Sequence, residues 1–237
     1  MSKPFQFKEF SINQDKCAMK IGTDGVLLGA WTPTTQNPFS VLDIGSGTGV
    51  IALMLAQRSS AEVIDAIEID DNAYEQCVDN FEQSPWRDRL FCYHASIQEF
   101  AEEIDDEYDL IVCNPPFYSE DYKTENASRD LARFQDAMPF EHLVICVSKL
   151  LSKNGLFSVV VPFSETTKLI ELAQKVNLYP NKRLNVKGNP TAEIKRSYIT
   201  FSFENKRIIT KELIIETERH QFTEDYIALT KDFYLKM

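Results

Sequence analysis

Short apolar runs alternate with amphipathic stretches along the first two thirds of the chain. Runs at 40–44, 63–69, 90–94, 108–114 and 156–161 are almost continuously apolar, the pattern of strands buried on both faces. Between and after them, apolar residues recur three and four apart at 50–58, 72–83, 140–153 and 165–176, which predicts helices. Strands and helices alternating at this spacing predict a parallel sheet with helices on both faces. The triplet Lys153-Asn154-Gly155 reads as a helix C-cap before the fifth strand. Later stretches at 183–187 and 196–203 read as β segments joined by a Gly-Asn-Pro turn, suited to an antiparallel edge. A further β-rich run at 207–216 precedes an amphipathic pattern at 225–235 that should pack on the sheet. There is no internal repeat, linker or low-complexity tract, so 1–237 reads as one domain, with 1–39 an extension and 40–237 the core.

Two of the predicted strands end in unusual residues. The first runs Val41-Leu42-Asp43-Ile44-Gly45-Ser46-Gly47-Thr48-Gly49 and leads into the helix at 50–58. Such a βα turn places a ligand at the carboxyl end of the sheet. A dinucleotide fingerprint wants G-x-G-x-x-G, but position 50 is Val and the third glycine arrives one residue early, so a pyrophosphate cradle is the poorer reading. Asp43 before the glycines and Glu68, 25 positions later at the end of the next strand, suit a cationic nucleoside without phosphate, with Glu68 on its ribose hydroxyls.

The fourth strand ends in Asn114-Pro115-Pro116-Phe117. Methylating a planar amine or carboxamide nitrogen is difficult because its lone pair is delocalised. Two hydrogen-bond acceptors must hold the N–H bonds and re-aim that pair. Asn114 Oδ1 can supply one and the Pro115 carbonyl the other, rigidly aimed because each proline fixes its own φ and holds the preceding residue extended. Phe117 offers a face on which the ring bearing the amine can stack, worth roughly 1–3 kcal/mol for a base. Together with the glycine loop and Glu68, this points to an S-adenosylmethionine (SAM)-dependent amino methyltransferase.

Composition narrows the picture. No apolar run reaches the roughly 18 residues of a membrane span, and the N-terminus lacks a signal-peptide core, so a cytoplasmic protein with no membrane partner is expected. Five widely spaced cysteines without C-x-x-C argue against a disulfide framework or zinc site. His94, His142 and His220 are isolated, so no metal is expected. The net charge of −11 argues against nonspecific nucleic-acid binding, leaving local basic surfaces: Lys3, Lys8, Lys16 and Lys20, and the set Lys182, Arg183, Lys187, Lys195 and Arg196. The polar connection between Phe117 and Phe140, with Arg129 and Arg133, is placed to act as a substrate-side lid.

The block Lys20-Ile21-Gly22-Thr23-Asp24-Gly25-Val26-Leu27-Leu28-Gly29-Ala30-Trp31 has no reason in generic fold physics beyond a helix capping the sheet. With Asp43 to Gly49 and Asn114 to Phe117, it resembles the bacterial family that N6-methylates an adenine beside the anticodon of a valine tRNA, over nearly the whole chain. The resemblance implies a class I Rossmann-like methyltransferase fold, α/β, with a mostly parallel seven-stranded sheet, an antiparallel edge and helices on both faces. It implies SAM as cofactor and tRNA as partner, for a monomer. Asn114, Pro115 and Phe117 are then the catalytic residues. Lys20, Thr23, Asp43, Gly45, Gly47, Gly49, Glu68, Ile69, Ser96 and Asn114 are expected around the cofactor, with the extension covering it. Pro116, Tyr118, Arg183 and Lys187 are expected on the substrate. Guanine-N2 rRNA methyltransferases and the glutamine N5-methyltransferases of release factors share Asn-Pro-Pro-aromatic and remain alternatives, as does a noncatalytic SAM- or RNA-binding scaffold.

Overall fold

The computed structural model of the chain describes residues 3–116 and 138–237. Strands β3 (Ser40–Ile44), β4 (Val63–Glu68), β5 (Leu90–His94), β6 (Tyr108–Cys113), β7 (Leu151–Pro162), β8 (Tyr179–Lys187), β9 (Ile194–Ser202) and β10 (Ile209–Ile214) form an eight-stranded sheet in the order β10-β8-β9-β7-β6-β3-β4-β5. Every neighbouring pair is parallel except the two made by β9, so β9 alone runs against the rest. The sheet exceeds the expected seven strands because the β-rich run at 207–216 docks in parallel on β8 and buries Leu213. Two short antiparallel pairs lie outside it: β1 (Phe5–Gln6) with β2 (Ser11–Ile12), and β11 (Glu216–Glu218) with β12 (Gln221–Phe222).

Helices α1 (Thr23–Trp31), α2 (Val50–Arg58), α3 (Asp71–Glu82) and α7 (Glu224–Thr230) close one face over Val41, Val112, Val160 and Tyr198. Helices α4 (Ile97–Glu103), α5 (Phe140–Leu150) and α6 (Thr166–Lys175) close the other over Leu42, Ile111, Val159 and Ile199. The central strands are apolar on both faces for this reason, but β5, expected to be buried on both faces, is the edge strand and leaves Phe91 and Tyr93 exposed. The C-terminal helix is shorter than its pattern, ending at Thr230, and Phe233 in the following turn supplies the last buried apolar contact.

The expected C-cap at Lys153-Asn154-Gly155 is wrong. The helix stops at Leu150, and all three residues belong to β7. Leu151 is buried and pairs with Tyr108, so tertiary pairing outweighs the local helix-stop signal. Gly155 serves close packing instead: a Cβ there would lie 2.8 Å from Leu151 and 2.9 Å from the Tyr108 carbonyl oxygen.

Candidate active site

The glycine turn after β3 is tied down by its own backbone. Gly45 and Ser46 donate N–H bonds to the Ile67 carbonyl at 2.9 and 3.1 Å, and Gly49 donates to Ser46 at 2.8 Å. Gly45, Gly47 and Gly49 have φ of +68°, +55° and +76°, where a side chain is strained. They divide into two kinds. A Cβ at Gly49 would sit 2.6 Å from the Phe81 ring and 2.9 Å from Cys77 Sγ, so this glycine lets α2 approach α3. A Cβ at Gly45 or Gly47 would meet no atom within 4 Å, so these two present bare backbone to open space at the carboxyl edge of the sheet.

Glu68 stands beside that space, 9% exposed. Its Oε2 accepts the Gly47 N–H at 2.8 Å, and its Oε1 accepts those of Ile69 and Asp70 at 2.9 and 3.0 Å. A carboxylate has about four acceptor positions, so these three bonds fix its orientation and still leave capacity for one more donor. Asp43 lies beneath the loop, fully buried. Its Oδ2 accepts the Ala52 N–H in the first turn of α2 at 3.1 Å, and its Oδ1 has no hydrogen-bond partner among the described residues. Burial pushes its carboxyl up to about 7; the Ala52 bond opposes this and the Glu68 charge adds to it.

The N-terminal extension is fastened to the loop by two residues that the sequence did not single out. Asn80 of α3 donates to the Asn13 and Thr48 carbonyls, both at 2.9 Å, and accepts the Asn13 N–H at 2.8 Å. Gln76, one turn earlier, accepts the Lys16 N–H and donates to Asp15 Oδ1. Both are buried, and their spacing of four put them on one helix face, a signal that a polar pair on an amphipathic helix could have given. Cys17 lies close enough to Glu68 and Asp70 that their charges, after burial, push its thiol up to about 12. Lys20 and Thr23 are exposed at the entry to α1.

Asn114 follows β6, half-buried, with Pro115 buried and Pro116 half-buried after it. Its Nδ2 faces α1: a Cβ on Gly25 would lie 3.8 Å from it. The same first turn of α1 is held to β9 by an ion pair of 2.8 Å between Asp24 Oδ2 and Arg196 Nε, with the buried Tyr198 hydroxyl 3.4 Å from Asp24 Oδ1. Phe117, Tyr118, Arg129, Arg133 and the expected lid lie outside the described residues.

At the end of β5, His94 stacks on Tyr74 with centroids 5.2 Å apart, and its Nε2 is 3.0 Å from the Ile69 carbonyl oxygen and 3.2 Å from Asp71 Oδ1. The Ile69 side chain is 53% exposed beside it. The Ser96 hydroxyl is engaged locally: it accepts the Glu99 N–H and donates to Glu99 Oε2, the capping box of α4. Among the described residues no three metal-ligating side chains gather, and no helix is long and apolar enough to cross a membrane.

The late basic set does not form one surface. Strand alternation sends Arg183 and Lys187 to the face of α5 and α6, in register with Ile199 and Ile194, and Arg196 to the face of α1, in register with Val186. Lys187 is paired with Glu212 at 3.2 Å. Arg183 donates to Asn185 Oδ1 at 3.0 Å and lies over the Phe163 ring.

The family description "Methyltransferase small domain" matches residues 22–139. A Flavobacterium psychrophilum protein named tRNA1(Val) (adenine(37)-N6)-methyltransferase is 63% identical over 233 residues, covering 98% of this chain and all of that one. A Bacteroides fragilis protein of the same name is 44% identical with complete coverage of both chains. Among solved structures, an Agrobacterium tumefaciens protein described as a predicted O-methyltransferase superposes with a TM-score of 0.70 at 17% identity, covering 89% of this chain and 96% of that one, which shows a shared fold.

Proposed function

The chain belongs to the tRNA1(Val) (adenine(37)-N6)-methyltransferase family, and we propose that it methylates the N6 amine of an adenine beside the anticodon of a tRNA, with SAM as methyl donor. The observation that carries the assignment is the division of the glycines. Gly45 and Gly47 leave room for a ligand that approaches the backbone, while Glu68 waits beside them with its carboxylate already oriented.

The donor supplies a methyl group on a positively charged sulfur. The chain's residues place and expose it. Gly45 and Gly47 line its methionine end and Gly49 lets α2 start close behind. Glu68 accepts from one ribose hydroxyl at its remaining acceptor position. Asp43 contributes negative potential from beneath the loop, and Ile69 gives the adenine an apolar wall. Lys20 and Thr23 belong to the covering extension within 1–39, and 40–237 forms the catalytic core. Ser96 bears on this site through its backbone and the α4 cap.

On the substrate side, Asn114 Oδ1 and the Pro115 carbonyl accept the two N–H bonds of the target amine. This turns its lone pair toward the methyl group, and the contact matters most as the nitrogen rehybridises. Phe117 stacks on the adenine, and Pro116, Tyr118, Arg183 and Lys187 border the RNA. No general base is required, since the methylated nitrogen becomes acidic and releases its proton to water. The protein acts as a cytoplasmic monomer without a metal, which size-exclusion chromatography and metal analysis of the purified protein check. Methyl-labelled SAM with unmodified tRNA, followed by nucleoside mass spectrometry, tests the reaction. N6-methyladenosine is expected. Transfer only to a protein glutamine or an rRNA guanine overturns it.

A further inference from the structure

Beyond the target pocket, the carboxyl edge carries an aromatic side chain to which the site gives no role. Phe163 follows β7 directly, opens a single 3-10 turn before α6, and is 39% exposed. The Arg183 guanidinium lies 5.8 Å from its ring centroid. Arg183 is held there: its Nε donates to Asn185 Oδ1, which also accepts the Ser197 hydroxyl at 2.8 Å. Unlike Lys187 and Arg196, Arg183 has no carboxylate partner among the described residues, so its charge remains available at the ring. A guanidinium packed on one side of an aromatic ring leaves the other side as a flat, cation-backed face.

The register fixes where this face stands. Cys113, the residue before Asn114, pairs with Val159, Val159 with Ile199, and Ile199 with Arg183. Arg183 therefore shares a row with the end of the catalytic strand, about 14 Å away across three strand spacings. Phe163 lies just beyond the carboxyl end of β7, the strand between β6 and β9 and one strand spacing, about 5 Å, to the side of β6. A base drawn out of an RNA loop leaves its neighbours unstacked, and a replacement face beside the pocket recovers what they lose.

We propose that Phe163, backed by Arg183, is the stacking platform for the nucleotide adjacent to the target adenine. This rests on the tRNA reading and assigns Arg183 a stacking role rather than a phosphate contact alone. The platform holds the loop in register over Asn114, and it tolerates any base, because every base has a flat face.

Steady-state methylation of an unmodified tRNA transcript tests it, with S-adenosylhomocysteine calorimetry as control. Phe163→Ala should raise KM for tRNA about 5- to 150-fold, the stacking energy of one base, with kcat within about threefold, as expected for loss of binding shared by ground and transition states. Phe163→Tyr should restore KM, and cofactor affinity should not change in either variant. With wild-type protein, a transcript made abasic on the 5′ or the 3′ side of the target should fall to the Phe163→Ala level at one of the two positions, where Phe163→Ala loses nothing further. Equal KM for wild type and Phe163→Ala on the intact transcript overturns the platform. So does an added loss for Phe163→Ala on both abasic transcripts, which marks a structural role. If the wild-type protein itself transfers no methyl to tRNA, the function reading fails, and that result appears before any variant is compared.

Discussion

Asp43→Asn isolates a buried charge. The carboxyl is fully buried, satisfied at one oxygen by Ala52 and unpartnered at the other among the described residues. Burial raises it from 3.8 to about 7. Between those values the native state holds a proton that the unfolded chain has released, so stability falls as pH rises from about 4 to about 7 and then levels off. The full penalty is about 4 kcal/mol at one unit per 1.36 kcal/mol, and about 2.5 kcal/mol of it develops between about pH 5 and pH 8. Asparagine keeps an acceptor for Ala52 and cannot ionise. The measurement is the difference in urea unfolding free energy between variant and wild type at the two pH values, in which the other titrating groups cancel. That difference should move in favour of Asp43→Asn by about 2.5 kcal/mol at the higher pH. A pH-independent difference refutes the reasoning. The variant should also bind SAM more weakly at the higher pH, because the negative potential that favours its sulfonium is gone.

The glycines should separate by experiment. Gly47→Ala should cost about 1–2 kcal/mol of stability for its positive φ and weaken cofactor binding by calorimetry, whereas Gly49→Ala, driven into Phe81 and Cys77, should cost several kcal/mol in a thermal melt. Equal destabilisation by both would contradict the division. Glu68→Ala should weaken S-adenosylhomocysteine binding by about 1.5–3 kcal/mol and also lower stability, since it orphans the N–H groups of Gly47, Ile69 and Asp70; lost stability with unchanged affinity would leave Glu68 as a strut only. Asn114→Ala should reduce kcat about 100-fold or more while cofactor affinity stays within about threefold, and turnover close to wild type would remove Asn114 from the chemistry.

What could be read from the sequence divides by the range of the interaction. The bounds of β3 and α2 match their apolar patterns because those residues are buried on the faces the periodicity assigns, whereas β5 matches its run as an edge strand that buries Leu90 and leaves Phe91 and Tyr93 exposed. Lys153-Asn154-Gly155 failed because its environment is the neighbouring strand: Gly155 is required by Leu151 and Tyr108, and a cap signal cannot report that. Gln76 and Asn80 passed as ordinary polar helix residues, since their partners at Asn13, Asp15 and Lys16 lie about sixty residues earlier. The three glycines looked equivalent in sequence. Only the approach of Phe81 distinguishes Gly49 from Gly45 and Gly47.

The same contrast bears on how a chain of net charge −11 holds an RNA. Counted along the sequence, Lys182 to Arg196 look like a phosphate-binding patch. Folded, strand alternation divides them between two faces, and Asp24 and Glu212 neutralise Arg196 and Lys187. Bulk electrostatics is therefore a poor source of affinity, because each neutralised cation displaces no counterion from the RNA. What remains at the carboxyl edge is the kind of contact that single-stranded bases offer and duplexes withhold: acceptors at Asn114 and Pro115 for an exposed amine, and the Phe163 face in the turn after the neighbouring strand. A loop whose bases are already partly unpaired needs little energy to present one of them. A site built from short-range contacts then selects such a loop over the far larger pool of double-stranded RNA. The acidity of the rest of the chain works in the same direction, because it repels RNA that cannot make those contacts.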